Sequence, residues 1–281
     1  MKYMTFNNAC FFTVLANLLE EFNIDVEDRD IIKDSIIPNI FLYDTDTESY
    51  LAGYQIQQQK YINQYLQKYH LVFKEKIFEL AGEWGIKEAL INDLLLRKNC
   101  VVSLKVLDSR TTWHATIFKG VINDKYAFLN MKRYKACEPD TYVFSKDELL
   151  DVLADDVRYG WIEYTKTGID SFNLEKEIWD SIEIIKNLQR DIILFCSIDT
   201  TYSERQAAKE KLFRPLYISY RTITRIMDDF LLINQIETSL SQYLCTMKIE
   251  KSITLSQFID VNLLNEIFEN IINRIIFFIH N

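Results

Sequence analysis

The chain has 281 residues and 33.4 kDa, is 48% hydrophobic and 14% aromatic, and carries a formal charge of −9. That is enough apolar side chain for a full core, in one large domain or two, and it excludes disorder for most of the length. Six Gly and three Pro assemble no phosphate loop or dinucleotide fingerprint, no segment recurs at a fixed period, and the acidic balance, −6 over residues 1–165 and −3 over the rest, argues against nucleic acid.

Taken in chain order, residues 10–23 read as a helix, with Phe11, Leu15, Leu18 and Phe22 on one stripe and Asn7 or Asn8 able to cap its start. A second helical stretch, about 54–72, carries Tyr54, Tyr61, Tyr65 and Tyr69. This stripe suits half-buried packing, with an aromatic substrate pocket as the functional alternative. Shorter helices are expected near 75–81 and 86–96. From residue 100 the texture changes to short runs rich in β-branched and aromatic residues at 100–107, 113–121, 125–131, 141–145 and 158–164, which predict a small antiparallel sheet. Helical periodicity returns at 173–198, 203–233 and 255–279. The expected class is α+β, with domains at 1–167 and 168–281, the second all-helical. The amphipathic helix 255–279 could serve an oligomer as well as a core.

Five Cys, at 10, 100, 137, 196 and 245, form no CxxC pair and, with three His, no zinc cluster, so no metal or other cofactor is expected. The odd count fits a reducing cytoplasm. The apolar run Ala9–Leu19 is broken by Asn17 and followed by Glu20 and Glu21, without a cleavage site. The run Ile271–Ile279 contains Asn273 and Arg274, so no membrane association is expected.

Three residues could act together. Cys10 opens the first helix, where unpaired N–H groups and the helix dipole favour a thiolate and so lower the thiol pKa. His114 lies in the run Trp113-His114-Ala115-Thr116-Ile117-Phe118 and could form an ion pair with that thiolate. Asn130 follows across a turn containing Asn123 and Asp124. Parity makes a condition. A two-residue loop in a regular hairpin turns His114 away from Asn130, whereas an odd loop or a bulge sets Thr116 opposite Asn130 and makes His114 its diagonal neighbour. A left-handed Asn123 or Asp124 is the expected source of that offset.

On these residues the chain resembles the papain-like cysteine-nucleophile superfamily: Asn7-Asn8-Ala9-Cys10-Phe11-Phe12, Trp113-His114-Ala115-Thr116 and Tyr126-Ala127-Phe128-Leu129-Asn130. It is most similar to C39 peptidase-like proteins and to the butirosin-type N-terminal domain, over roughly residues 1–165. The resemblance implies a papain-like N-terminal domain and a Cys10–His114–Asn130 triad. It further implies acyl transfer from a carrier-protein thioester to a small amine, through a Cys10 acyl-enzyme, in secondary-metabolite biosynthesis. An acyl or peptidyl carrier protein bearing phosphopantetheine is the implied partner. Such peptidases usually have a glutamine about two turns before the nucleophile; Asn7 or Asn8 must substitute for it, with the Cys10 N–H as the second oxyanion donor. The alternatives are a peptidase or amidase on the same residues, or a non-catalytic interaction protein. The clusters Lys132-Arg133-Lys135 and Arg214, Arg221, Arg225 could dock an acidic carrier, with ordinary surface charge as the plainer reading. The acidic stretches 25–34 and 44–48 read as solvated loops.

Overall fold

Runs rich in β-branched and aromatic residues from 100 to 164, joined by the run 71–79, build a six-stranded antiparallel sheet in a computed structural model, which describes residues 1–79, 84–97, 99–105, 114–153, 156–165, 172–226 and 233–280. In chain order the first elements are α1 (Cys10–Leu19), α2 (Asp28–Lys33), β1 (Phe41–Asp44), β2 (Ser49–Ala52), α3 (Gln59–Leu66), β3 (Leu71–Glu79) and α4 (Trp84–Leu96). Next come β4 (Cys100–Leu104), β5 (His114–Ile122), β6 (Lys125–Asn130), β7 (Thr141–Phe144), α5 (Lys146–Val152) and β8 (Asp156–Tyr164). The last are α6 (Leu174–Ser197), β9 (Asp199–Thr200), α7 (Tyr202–Ala208), α8 (Arg214–Arg221), α9 (Ile233–Thr246), β10 (Ile253–Thr254) and α10 (Val261–His280). The class is mixed α and β with an antiparallel sheet.

Two compact units form. One comprises Met1–Ser35 with Gln57–Asp170, the other Ile36–Ile56 with Ser171–Asn281. The expected cut at 167/168 lies outside the described residues, and a single cut does not describe the division, because residues 36–56 join the C-terminal segment. Nor is that second unit all-helical. It contains the β1–β2 hairpin and the short β9–β10 pair. The hairpin is fastened by the Phe41 N–H, which donates to Ser181 Oγ at 2.8 Å, and by the Tyr50 hydroxyl, which donates to Asp191 at 2.6 Å. Residues 44–48, expected as a solvated acidic loop, are its turn: Asp44 caps it by accepting from the Asp46 N–H and the Thr47 hydroxyl.

In the first unit the strand order is β3-β8-β4-β5-β6-β7, every neighbouring pair antiparallel. α1 lies against one face, with Phe11 edge-on to Phe73 of β3 at 5.7 Å and Asn17 touching Met131 just beyond β6. The other face buries Val102, Phe118, Phe128 and Tyr159 against Leu90 and Leu94 of α4 and Leu149 of α5. Residues 75–81, expected as a helix, belong instead to β3 as far as Glu79, and 80–81 lie outside the described residues. The charges of Lys74-Glu75-Lys76 suit an edge strand, where they discourage further pairing. The tyrosine stripe is divided between the units. Tyr61 and Tyr65 are buried on α3, His70 closes its end in a left-handed conformation, and Tyr54 lies in the second unit. The 203–233 periodicity is not one regular helix: π-helical turns at Lys209–Phe213 and Thr222–Ile226 interrupt it on either side of α8.

Candidate functional site

The hairpin that carries the imidazole and the carboxamide is offset by a bulge. Ile122 pairs with Lys125 across a two-residue turn in which Asn123 and Asp124 are both left-handed, the geometry that matches strand twist. Left alone, that even loop would set Asn130 on the wrong face. The register shifts between Phe118 and Gly120, however, and the extra residue, Lys119, restores Thr116 opposite Asn130. The offset thus comes from Lys119–Gly120 rather than from the turn. Gly120, at φ +123°, adopts a backbone conformation that side chains disfavour.

His114 Nε2 and Asn130 Oδ1 are consequently 2.9 Å apart. Asn130 is buried and held on two further sides: its Nδ2 donates to the Pro139 carbonyl at 2.8 Å, and its N–H donates to the Asp140 carbonyl at 2.8 Å. Because Pro139 takes the amide nitrogen, Oδ1 is the atom that faces the ring. Nε2 therefore carries the proton, and Nδ1 is the basic nitrogen. Burial lowers the His114 pKa, against favourable contributions from Asn130, the Met131 backbone and the charge of Glu138.

Cys10 is the first residue of α1, and its thiol is partly buried. Burial raises its pKa, while backbone N–H groups of Ala115, Phe11 and Cys10 itself favour the thiolate. The expected lowering by the helix N-terminus is thus outweighed by desolvation. The Ala115 contact sets the sulfur beside the residue that follows His114. Strand alternation puts the Ala115 and Ile117 side chains on the α1 face, and those of His114 and Phe118 on the other. No hydrogen bond joins the thiol to the ring. One pKa is raised and the other lowered, so burial disfavours the charged form of each group.

Asn7 and Asn8 are exposed, and neither side chain is hydrogen bonded to a described residue. Neither caps α1, whose N-cap is Ala9 without a side-chain bond; Asn8 is left-handed, at φ 64°. Both amides are therefore free, two and three residues before Cys10. What holds this loop is Asp28, which falls in a stretch expected to be solvated. It is 1% exposed and accepts from the Thr5 N–H at 2.9 Å, the Thr5 hydroxyl at 2.5 Å, the Thr13 hydroxyl at 2.9 Å and the Arg29 N–H at 2.8 Å. The Thr13 hydroxyl also donates to the Ala9 carbonyl at 3.0 Å, so one carboxylate ties both sides of the 5–9 loop to α1. A signal for α2 was present in the sequence. Glu27 and Asp30 form a reciprocal capping box, and Ile31 and Ile32 turn inward.

The basic clusters differ in availability. Lys132 is committed to Asp140 at 2.8 Å and to the Glu138 carbonyl at 2.6 Å, whereas Arg133 reaches the Thr5 carbonyl at 3.4 Å and Lys135 is exposed. Arg214 pairs with Glu210 at 2.5 Å, and Arg221 stacks over Tyr217 at 5.5 Å. The Arg225 side chain lies outside the described residues, as does Trp113. Among the described residues no cluster of three or more His, Cys, Asp or Glu is placed to hold a metal, and no helix is long and apolar enough to cross a membrane. Compared with known proteins, the chain matches no family model, and no curated protein is significantly similar to it.

Proposed function

We propose that the first unit is a papain-like cysteine acyltransferase, with Cys10 as nucleophile, His114 as base and Asn130 as the group that orients it. The observation that carries this reading is the 2.9 Å contact between His114 Nε2 and Asn130 Oδ1, together with the placement of Cys10 at a helix N-terminus, where the backbone N–H of Ala115, the residue after His114, favours its thiolate. Nδ1 receives the thiol proton as Sγ attacks the carbonyl of an acyl thioester. The oxyanion is taken by the Cys10 N–H and by the amide of Asn7 or Asn8. Collapse expels the carrier thiol, which leaves with the proton from the imidazolium. An amine then attacks the acyl-enzyme and gives a proton to His114; collapse releases the amide and breaks the bond to Sγ, which takes that proton back from the imidazolium to regenerate the thiol. Burial, which disfavours both charged forms, favours a substrate-triggered proton transfer over a standing thiolate.

The basic residues Arg133 and Lys135, on the loop that also supplies the Pro139 and Asp140 carbonyls to Asn130, support an anionic carrier as the donor. The cellular setting proposed is cytoplasmic secondary metabolism. Incubation with an acyl carrier-protein thioester plus a primary amine, and separately with a peptide panel, tests the reaction. Amide formation from the thioester is the expected result; turnover of peptide alone would replace transfer by hydrolysis on the same residues. A non-catalytic reading draws on the raised thiol pKa and the missing thiol–imidazole bond. It predicts neither product.

A further inference from the structure

The longest helix of the second unit, α6, is apolar on more than its core side. Ile178, Ile182, Ile185, Leu188 and Ile192 turn inward and are buried. On the opposite side Trp179, Glu183, Lys186, Arg190, Leu194 and Ser197 recur every three or four residues and form one exposed stripe, with Ile198 at its end. A single apolar residue on a surface needs no explanation. Here Trp179 is 46% exposed, Leu194 61% and Ile198 50%, and they bracket a charged middle on one line of the helix. At about 1.5 Å of rise per residue, Trp179 and Leu194 stand roughly 22 Å apart.

The stripe is complementary to its own reverse. Turned end for end about the midpoint between Lys186 and Asn187, it sets Trp179 against Leu194 of a second copy, Glu183 against Arg190 of that copy, and Lys186 against its Asn187. Each contact then occurs twice, as a two-fold axis requires. One turn beyond Leu194, Ile198 widens the patch that receives the indole. Glu183 already accepts from Lys186 of its own helix at 2.8 Å. That pair is more than half exposed at both ends and contributes little alone, and a carboxylate has room for a second donor. Arg190 reaches only the adjacent Asp191, at 3.7 Å, with its side chain 72% exposed. A parallel alignment would instead oppose Glu183 to Glu183 and Arg190 to Arg190, so charge selects the antiparallel one.

We propose that this stripe is the contact face of a homodimer in which α6 packs antiparallel against α6 of a second copy of the chain. Trp179 and Leu194 are its apolar anchors, and the Glu183–Arg190 pairs fix its register. The dimer does not depend on the chemistry at Cys10. The test is sedimentation velocity on the full chain over roughly 1–100 µM, the weak end of the range for specific interfaces. It compares the wild type with Leu194→Lys, Glu183→Arg, Arg190→Glu and the double exchange of Glu183→Arg with Arg190→Glu. All three positions are exposed, so these replacements leave the fold intact, which circular dichroism checks. The wild type is expected to sediment as a dimer of the 33.4 kDa chain. Association should weaken by about tenfold or more in Leu194→Lys and in each single reversal, and return to within about threefold in the double exchange, which restores opposite charges in the same register. A wild type that stays monomeric at about 100 µM would overturn the proposal and leave the face to a different partner. So would a dimer indifferent to Leu194→Lys, or a double exchange that associates no better than either reversal.

Discussion

At the scale of single residues, the decisive quantity is the balance between a helix N-terminus that favours the Cys10 thiolate and the burial that opposes it. Burial raises the Cys10 thiol and lowers the His114 imidazole, each away from its charged form. Alkylation by iodoacetamide, which follows the thiolate, should therefore show a midpoint above the ~8.5 of an ordinary thiol. Peptide mapping of Cys10 across a pH series measures it, and a midpoint below that value would mean a standing ion pair. His114→Ala should lower acyl-transfer turnover by ~10²–10⁴ while leaving that midpoint nearly fixed. The types and order of these residues are legible in the sequence, because a nucleophile, a base and an orienting amide need particular side chains. The burial of Asp28 is not legible. Nothing local distinguishes a carboxylate that receives four donors across the 5–13 turn from its solvated neighbours Asp25 and Asp34.

At the scale of elements, one residue of bulge decides whether the ring and the amide share a face. Gly120 has open space around its missing Cβ, so replacing it costs only backbone strain, about 1–3 kcal/mol at φ +123°. Gly120→Val is expected to favour a regular hairpin, in which Asn130 moves opposite Ile117 and leaves His114; activity should fall with the register. Deleting Lys119 in the same variant removes the residue that the bulge accommodates, restores Thr116 opposite Asn130, and should recover turnover. Amide cross-peaks between strands report the register directly, and recovery failing in the presence of the correct register would contradict the account. The parity condition is legible in the sequence, since it needs only strand alternation. The place of the offset is not, because a left-handed Asn123-Asp124 pair fits an even turn as well as an odd one. β3 is missed for a related reason: the run Lys74-Glu75-Lys76 hides a strand that β8 pairs along its whole length.

At the scale of the whole chain, the sequence suggests one cut where the fold makes a discontinuous unit. A change of periodicity near residue 168 is visible along the chain, but residues 36–56 enter the second unit through long-range bonds, Phe41 to Ser181 and Tyr50 to Asp191, that no local pattern announces. A 1–167 fragment would leave Ile37, Ile40, Phe41 and Tyr50, all buried in the full chain, without α6. It should bind ANS and sediment as aggregates. The same fragment with 36–56 replaced by a short flexible linker should do neither; equal behaviour of the two would count against the division. The claim on which the rest depends is that Cys10 carries the acyl group. Intact-mass and peptide-mapping spectrometry after brief exposure to an acyl thioester, with amine withheld, tests it most directly: one acyl adduct on Cys10, absent in Cys10→Ser and strongly reduced in His114→Ala, is predicted, while no adduct, or one on the exposed Cys137 or Cys245 alone, would contradict it.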